Sequence, residues 1–136
     1  MKNTVFDCLV MDLPKIHNRA GNITSIENHF HVPFDIKRVY YLYDVPGGSA
    51  RGGHAHNDLE QFIVAVSGAF DVLLDDGINT KTIHLDRPYN GVYIVSGIWR
   101  ELMNFSSGAT CLVLASRNYS EDDYIRDRDE YLKLKS

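Results

Sequence analysis

Short runs rich in Val, Ile, Tyr and Phe recur along the whole chain, and Gly, Pro, Asn or Asp separates each run from the next. β-Branched and aromatic residues fit a pleated sheet while the separators favour turns, so the pattern is typical of an all-β sandwich or barrel. It predicts strands over residues 5–11, 22–27, 36–45, 52–57, 61–67, 70–75, 81–85, 91–95, 100–105 and 110–115.

Turn and cap residues refine this outline. Ser67–Gly68 and Asp76–Gly77 tolerate positive φ angles, so each is predicted to turn a hairpin between neighbouring antiparallel strands. Ser120 precedes a run of acidic residues, and Lys133 and Lys135 lie near the end of the chain. Because the backbone dipole favours negative charge at the start of a helix and positive charge at its end, we expect one helix that begins at Ser120 and closes the domain.

Composition narrows the class of protein. The 136 residues, 44% of them hydrophobic, are enough for a core in one domain over residues 1–136. A formal net charge of -4 disfavours nucleic acid, although local Arg and Lys side chains can still bind a small anion such as a nucleotide. Cys8 and Cys111 lie in apolar stretches and are expected to be reduced core residues, which favours a cytoplasmic protein. We expect neither a secretory signal nor a membrane span.

Two histidines, His54 and His56, are separated by one residue in a predicted strand. Side chains at i and i+2 of a strand point to the same face, so the two imidazoles are expected side by side. Such a pair can hold a metal or transfer protons. Arg51 precedes it in a glycine-containing segment and is a candidate substrate contact.

The histidine pair lies inside a longer pattern that resembles the first signature of the cupin barrel family. Gly48, His54, His56, position 61 and Gly68 have the spacing of that signature, and residues 95–104 keep the glycine and asparagine of the second one. A metal-binding cupin of this pattern would have Glu at position 61 and His at position 100, where this chain has Gln61 and Arg100.

These two differences bear on the metal. Gln is a poor neutral ligand, and the protonated guanidinium of Arg100 has no lone pair to offer a cation and would repel it. We therefore expect a barrel without a bound metal. A local bulge that turned Glu60 inward would supply a ligand, but the alternation of the strand points Glu60 away.

A second polar stripe follows the predicted strand over residues 36–45. Arg38, Tyr40 and Leu42 share one of its faces. An arginine and a tyrosine that point into a cavity suit a diphosphate and its sugar.

Several motifs occur in the order found in the TDP-4-keto-6-deoxyglucose 3,4-ketoisomerases, and the chain resembles that family almost from end to end. They are VPFDIKRVYY (32–41), RGGHAH (51–56), LDDG (74–77), NFSS (104–107), LASRNY (114–119) and DYIR (123–126). The resemblance implies an RmlC-like cupin, a double-stranded β-helix or jelly-roll barrel. It also implies an isomerase that moves a ketone from C4 to C3 of a dTDP-linked sugar without an external cofactor, and a homodimer.

The residues found above fit that reaction. A base can remove the C3 hydrogen next to a ketone, and we assign His56 to carbon and His54 to the hydroxyl proton. Arg100, with Arg51 as the competing candidate, would stabilise the negative oxygen of the enediolate. Arg38 is expected to contact the diphosphate, and Tyr40 to orient the sugar or to serve as a proton donor. Gln61 is expected to hydrogen-bond a histidine or the sugar.

The resemblance also bears on stereochemistry and pathway. Relatives often carry Arg-Gly before the second strand and His at position 100, whereas this chain has Arg19–Ala20 and Arg100. We expect the gluco-configured product, 3-keto-6-deoxyglucose, rather than the galacto one. The product would feed an aminotransferase that makes a 3-amino-3,6-dideoxyhexose for a surface polysaccharide such as the O-antigen of lipopolysaccharide.

Two other interpretations remain open at this point. In the first, Glu60, His54 and His56 collect a metal in a metal-dependent cupin enzyme. In the second, the barrel binds a nucleotide sugar without turning it over, although binding alone does not require the histidine pair.

Overall fold

The computed structural model describes residues 2–136, which form an all-β fold with one short C-terminal helix. The elements are β1 (Leu9–Asp12), β2 (Ile16–Asn18), β3 (Gly21–Ile23), β4 (Arg38–Leu42), β5 (Arg51–His56), β6 (Gln61–Ser67), β7 (Phe70–Asp75), β8 (Thr80–Leu85), β9 (Asn90–Ile94), β10 (Trp99–Met103), β11 (Thr110–Ala115), β12 (Tyr124–Ile125) and α1 (Arg128–Lys135), with 3-10 turns at Val5–Asp7 and Glu121–Asp123. The predicted fold class is confirmed.

Two five-stranded antiparallel sheets form the barrel. One has the order β1-β9-β6-β11-β4, and the other has the order β12-β5-β10-β7-β8. Inward side chains of both sheets make one apolar core, for example Ile63 and Val113 from the first sheet and Val72 and Leu74 from the second. Cys8 and Cys111 are buried in this core with free thiols, as expected. No helix within residues 2–136 has the length and apolar character needed to cross a bilayer.

Strand β6 is buried over Gln61–Ala65, on both of its faces. Its inner face contributes to the barrel core, while Phe62 and Val64 on its outer face pack against Val32 and Phe34 of the segment before β4. A strand covered on both sides is apolar without alternation, which explains the continuous run of hydrophobic residues there. Gln61 is the polar exception, and it points into the barrel.

One of the two predicted hairpins is wrong. Asp76–Gly77 does turn β7 into β8, and the Asp76 carboxylate accepts hydrogen bonds from the backbone N–H groups of Ile78 and Asn79. Ser67–Gly68 instead carries the chain from β6 in one sheet to β7 in the other. Gly68 has a positive φ of 67°, as the turn prediction requires. The turn, however, connects strands of two different sheets instead of two neighbours in one sheet.

The C-terminal helix begins later than predicted. Ser120 precedes only a 3-10 turn, and its side chain makes no capping hydrogen bond. The chain then forms β12, where Ile125 is buried beside Ala55, and the helix starts after Asp127, whose carboxylate caps the N–H groups of Asp129 and Glu130. Burial of Ile125 in an extended segment outweighs the acidic residues that favoured an earlier helix. Lys133 and Lys135 do lie in the last turn, as expected.

The N-terminal region differs from its prediction in two places. Val5–Asp7 is a 3-10 turn closed by a reciprocal capping box between Thr4 and Asp7, so the first strand begins only at Leu9. The predicted strand over residues 22–27 ends at Ile23 and pairs with the unpredicted β2 in a hairpin. Every residue of this hairpin is exposed, so its sequence lacks the alternation of apolar and polar residues from which a strand is predicted.

Candidate active site

A cavity of about 240 Å³ lies between the two sheets. Its wall combines side chains from β4, β5, β6, β10, β11 and the segment that contains β12; they are Tyr40, Leu42, Arg51, His54, Gln61, Ile63, Arg100, Leu102, Val113, Tyr124 and Arg126. Five residues singled out from the sequence are among them. The other two, Arg38 and His56, contact wall residues, so the structure brings all seven into one region.

The two histidines lie side by side as their spacing predicts. Their ring centroids are 4.8 Å apart and their planes are nearly perpendicular. His54 is half-buried on the cavity wall, whereas His56 is completely buried. The Tyr124 ring covers both of them, at 4.3 Å from the His56 ring and 5.1 Å from the His54 ring.

Asp123 holds His56, and the sequence did not single it out. Its carboxylate lies 3.2 Å from His56 Nδ1 and accepts hydrogen bonds from the backbone N–H groups of Asp58 and Leu59. An ionised carboxylate can only accept, so Nδ1 carries the hydrogen and Nε2 keeps its lone pair. His56 Nε2 is buried and has no hydrogen-bond partner among the described residues. The geometry therefore leaves Nε2 as the basic atom of this ring.

Burial sets the protonation state of His56. Desolvation first, and the positive charge of Arg100 second, lower the pKa of His56 to about 2. The imidazole is therefore neutral at physiological pH, with its Nε2 lone pair unprotonated.

Arg100 occupies the position where the cupin pattern has its last metal ligand, and it is almost completely buried. Its guanidinium donates from Nε and Nη2 to the backbone carbonyl of Ile98, at 3.2 and 2.9 Å, and from Nη1 to Gln61 Oε1 at 2.5 Å. Gln61 in turn donates from Nε2 to the Tyr40 hydroxyl at 3.0 Å. Gln61 thus bonds to Arg100 and Tyr40 rather than to a histidine.

The residues present do not assemble a metal site. Glu60 lies outside the cavity wall and accepts a hydrogen bond from the Tyr93 hydroxyl, as the alternation of the strand predicted. Within residues 2–136, no three His, Cys, Asp or Glu side chains are grouped so that they could share an ion. The donor set proposed for a metal-dependent enzyme, with Glu60 beside the two histidines, is not formed.

Cationic side chains surround the cavity. The Arg38 guanidinium stacks over the Tyr40 ring at 4.4 Å and lies 5.2 Å from the Tyr119 ring. On the other side, Arg126 stacks over Tyr124 at 4.1 Å, and two hydrogen bonds to Glu121 hold its guanidinium. Planar guanidinium groups fixed on aromatic rings match the geometry of phosphate oxygens.

Asp123, Tyr124 and Arg126 are the residues of the site that sequence reasoning missed. They belong to the DYIR motif, whose similarity to the family was noted but whose residues received no role. Asp123 lies 67 residues from His56 in the chain, and β12 has only two residues. No local pattern in so short a segment shows that it pairs with β5.

Comparisons with known proteins show which family the chain belongs to. The family model described as FdtA: WxcM-like, C-terminal matches residues 6–136. Among curated proteins, the TDP-4-oxo-6-deoxy-alpha-D-glucose-3,4-oxoisomerase of Aneurinibacillus thermoaerophilus is 44% identical over 124 residues, which are 91% of this chain and 89% of the relative.

Solved structures are equally similar. WlaRB, a TDP-quinovose 3,4-ketoisomerase from Campylobacter jejuni, is 45% identical with a TM-score of 0.89, covering 98% of this chain and 99% of that one. QdtA, a sugar 3,4-ketoisomerase from Thermoanaerobacterium thermosaccharolyticum solved in complex with TDP, is 37% identical with a TM-score of 0.93, covering 96% of each chain. The similarity therefore concerns the whole domain and not the histidine motif alone.

The depressed pKa of His56 predicts a pH-dependent stability. The unfolded chain binds a proton at His56 below about pH 6.5 while the folded protein does not, so the free energy of unfolding falls as the pH is lowered. Between pH 7.5 and 5, the free energy of unfolding measured by urea denaturation should fall by about 2 kcal/mol more in the wild type than in His56→Gln. The reason is that each pH unit below about 6.5 lowers this free energy by about 1.4 kcal/mol when only the unfolded chain binds the proton. His17→Gln, at an exposed histidine, should keep the wild-type pH dependence. An equal loss in wild type and His56→Gln would contradict the depressed pKa.

Proposed function

The chain belongs to the FdtA family and is a sugar 3,4-ketoisomerase of the cupin fold, and on this basis we propose that it converts TDP-4-keto-6-deoxyglucose to TDP-3-keto-6-deoxyglucose without an external cofactor. The observation that carries the proposal is the buried His56, held by Asp123 in its neutral, Nε2-basic form beside a second imidazole and the buried Arg100. The substrate named for the curated relative, and the TDP bound to QdtA, support the choice of ligand.

The histidines divide the proton transfers between them. His56 Nε2 removes the C3 hydrogen, which is acidic because it lies next to the C4 ketone, and the proton returns to carbon at C4. His54 takes the proton of the C3 hydroxyl as the new ketone forms there and delivers it to the C4 oxygen, which becomes the C4 hydroxyl of the product. Positioned proton transfer of this kind is worth on the order of 10² to 10⁴ in rate.

The enediolate intermediate places negative charge on the sugar oxygens. Arg100 supplies a fixed positive charge on the cavity wall, where low dielectric strengthens its effect. Arg51, which also lies on the wall but is exposed, binds the substrate nearer to solvent.

The diphosphate binds at the rim of the cavity. Arg38 has one buried nitrogen, Nη1, with no hydrogen-bond partner among residues 2–136, so it can still donate to a phosphate oxygen. Tyr40, beneath it, contacts the sugar that follows the diphosphate. Arg126 faces the same cavity from the segment around β12 and is a second candidate for the phosphates.

Access to His56 depends on Tyr124. The Tyr124 ring packs against His56, which is completely buried, so the ring has to shift before the sugar reaches Nε2. Because Tyr124 belongs to the two-residue strand β12 at the edge of its sheet, only a short segment needs to adjust.

The product has the gluco configuration at C4. WlaRB, at 45% identity, is named for quinovose, which is 6-deoxyglucose, and Arg100 stands where galacto-forming relatives are expected to carry His. A 3-keto sugar is the substrate that an aminotransferase needs to make a 3-amino-3,6-dideoxyhexose. The pathway would take place in the cytoplasm and lead to a surface polysaccharide such as an O-antigen.

A homodimer completes the assembly. β4 is an edge strand of its sheet, and Val39 and Tyr41 on its outer side are exposed, as is Tyr43 just after it. A second copy of the chain would cover this apolar stripe, and a two-fold contact is the usual way for identical edges to meet.

Turnover should depend on His56. Wild-type protein incubated with TDP-4-keto-6-deoxyglucose in deuterated water should give the 3-keto sugar by NMR, with C4 coupling constants of the gluco isomer. The extent of deuterium at C4 shows whether the proton held by His56 exchanges with solvent. His56→Asn should lose at least about 100-fold in kcat with its fold intact, because the base is missing. His84→Asn, at an exposed histidine outside the cavity, is the matched control. Full activity of His56→Asn would contradict its role, and binding of the nucleotide sugar without any wild-type turnover would favour a non-catalytic barrel.

Chelation should leave the reaction unchanged. Protein treated with excess EDTA and desalted should keep its wild-type rate, because Gln61 and Arg100 replace two ligands of the metal-binding pattern. Loss of activity that one added divalent cation restores would favour a metal-dependent enzyme instead.

The molar mass of the protein in solution tests the proposed dimer. Light scattering after size-exclusion chromatography at micromolar concentration should give twice the mass of the 15.5 kDa chain. Val39→Glu/Tyr41→Glu, which places charge on the exposed stripe, should elute as a folded monomer. A wild-type protein of monomer mass would rule out the proposed assembly.

A further inference from the structure

Arg100, Gln61 and Tyr40 form a chain of hydrogen bonds on the cavity wall, and its direction is fixed at one end. A guanidinium can only donate, so the Gln61 atom that faces Arg100 Nη1 at 2.5 Å is the carbonyl oxygen. The amide nitrogen of Gln61 is thereby directed to the Tyr40 hydroxyl, to which it donates at 3.0 Å. Arg100 itself cannot rotate freely, because Ile98 O accepts from its Nε and Nη2.

The direction of the chain decides what the Tyr40 hydroxyl can do. Its oxygen accepts from Gln61, so its own hydrogen has to be donated elsewhere. No acceptor for that hydrogen lies within hydrogen-bond distance among residues 2–136, and Tyr40 lines the cavity. Burial raises the pKa of Tyr40, so the hydroxyl keeps its hydrogen at physiological pH. A donor of this kind is complementary to an oxygen of the ligand.

We infer that Arg100 and Gln61 act as a one-way hydrogen-bond relay that fixes Tyr40 as a donor to the ketone oxygen of the substrate. This inference rests on the proposed function, since it is the C4 oxygen of the 4-keto sugar that gains negative charge when C3 loses its hydrogen. Tyr40 is the group that touches the substrate, while Gln61 is a positioning residue that acts through Tyr40.

The relay gives a chemical reason for an amide at position 61. A carboxylate there would accept from Arg100 with one oxygen and from the Tyr40 hydroxyl with the other. Tyr40 would then donate its hydrogen to that carboxylate and present only lone pairs to the cavity. Lone pairs facing a developing negative charge repel it, whereas the hydrogen stabilises it. Glutamine and glutamate have nearly the same shape, so the two side chains differ at this site in the direction of one hydrogen bond and in a negative charge beside Arg100. The double-mutant cycle with Tyr40 separates these two effects.

The isosteric Gln61→Glu variant tests the relay by steady-state kinetics. Its kcat should fall by about 10² to 10³, the range for loss of one oxyanion donor, with a much smaller change in KM. Gln61→Met is the matched control: it removes both hydrogen bonds of the amide but leaves Tyr40 free to donate, so its kcat should fall less than that of Gln61→Glu. A Gln61→Met variant as impaired as Gln61→Glu would overturn the relay, because packing alone would then explain the loss.

A double-mutant cycle asks whether Gln61 acts through Tyr40. Tyr40→Phe should lose about as much kcat as Gln61→Glu, and Tyr40→Phe/Gln61→Glu should lose no more than either single variant. Losses that multiply in the double variant would mean that the two residues act independently, and would overturn the relay. Thermal unfolding of each variant shows that the comparison is made between folded proteins.

A binding experiment separates the relay from the proposed function, because it needs no turnover. In the His56→Asn background, Gln61→Glu should weaken the affinity for TDP-4-keto-6-deoxyglucose by about tenfold, the usual net value of one hydrogen bond, and leave the affinity for TDP unchanged. Equal affinities for the 4-keto sugar with Gln61 and Glu at this position would overturn the relay even if the wild type isomerises the sugar. The expected loss of affinity would support it even if the product of the wild type were a different one.

Discussion

The buried positive charge of Arg100 is the constraint on which the rest of the site depends. No carboxylate within residues 2–136 forms an ion pair with it, and its hydrogen bonds go to a backbone carbonyl and a neutral amide. Removing a charge from water is costly unless hydrogen bonds or an opposite charge compensate it. The barrel thus keeps an electropositive interior that disfavours protonation of His56, and in the proposed mechanism the same charge stabilises the anionic intermediate.

A short segment at the edge of the second sheet completes the site. The 3-10 turn at Glu121–Asp123 and β12 place Asp123 against His56 Nδ1 and Tyr124 over both imidazoles. The two-residue pairing of β12 with β5 is too short to hold by itself. Its anchors are the buried Ile125 and the Asp123 carboxylate, which binds two backbone N–H groups of the loop after β5. The same carboxylate therefore fixes both the loop and the tautomer of His56.

The all-β class and the face that each polar strand residue takes were predictable from turn residues and alternation along strands, whereas the barrel and its cavity were expected from the resemblance to the cupins. His54 and His56 share a face, Arg38 and Tyr40 share another, and Glu60 points away from Gln61, all as a period of two requires. Features that depend on distant pairing were not predictable. Ser67–Gly68 has the composition of a hairpin turn but connects two sheets, and Ser120 has the composition of a helix cap but lies before a buried strand. In both places tertiary packing outweighs a local preference.

His54 and His56 lie on the same face of one strand, yet their environments give the two imidazoles different chemistry. His56 is buried, neutral and held by Asp123, so Nδ1 bonds to the protein while Nε2 keeps a lone pair in a fixed direction. His54 lines the cavity beside the His56 ring, and the proposed mechanism has it meet the substrate there. Proton transfer at carbon needs a rigidly aimed base, whereas transfer between oxygens tolerates a group that can exchange with water. The difference in environment is therefore the physical basis for assigning carbon to His56 and oxygen to His54.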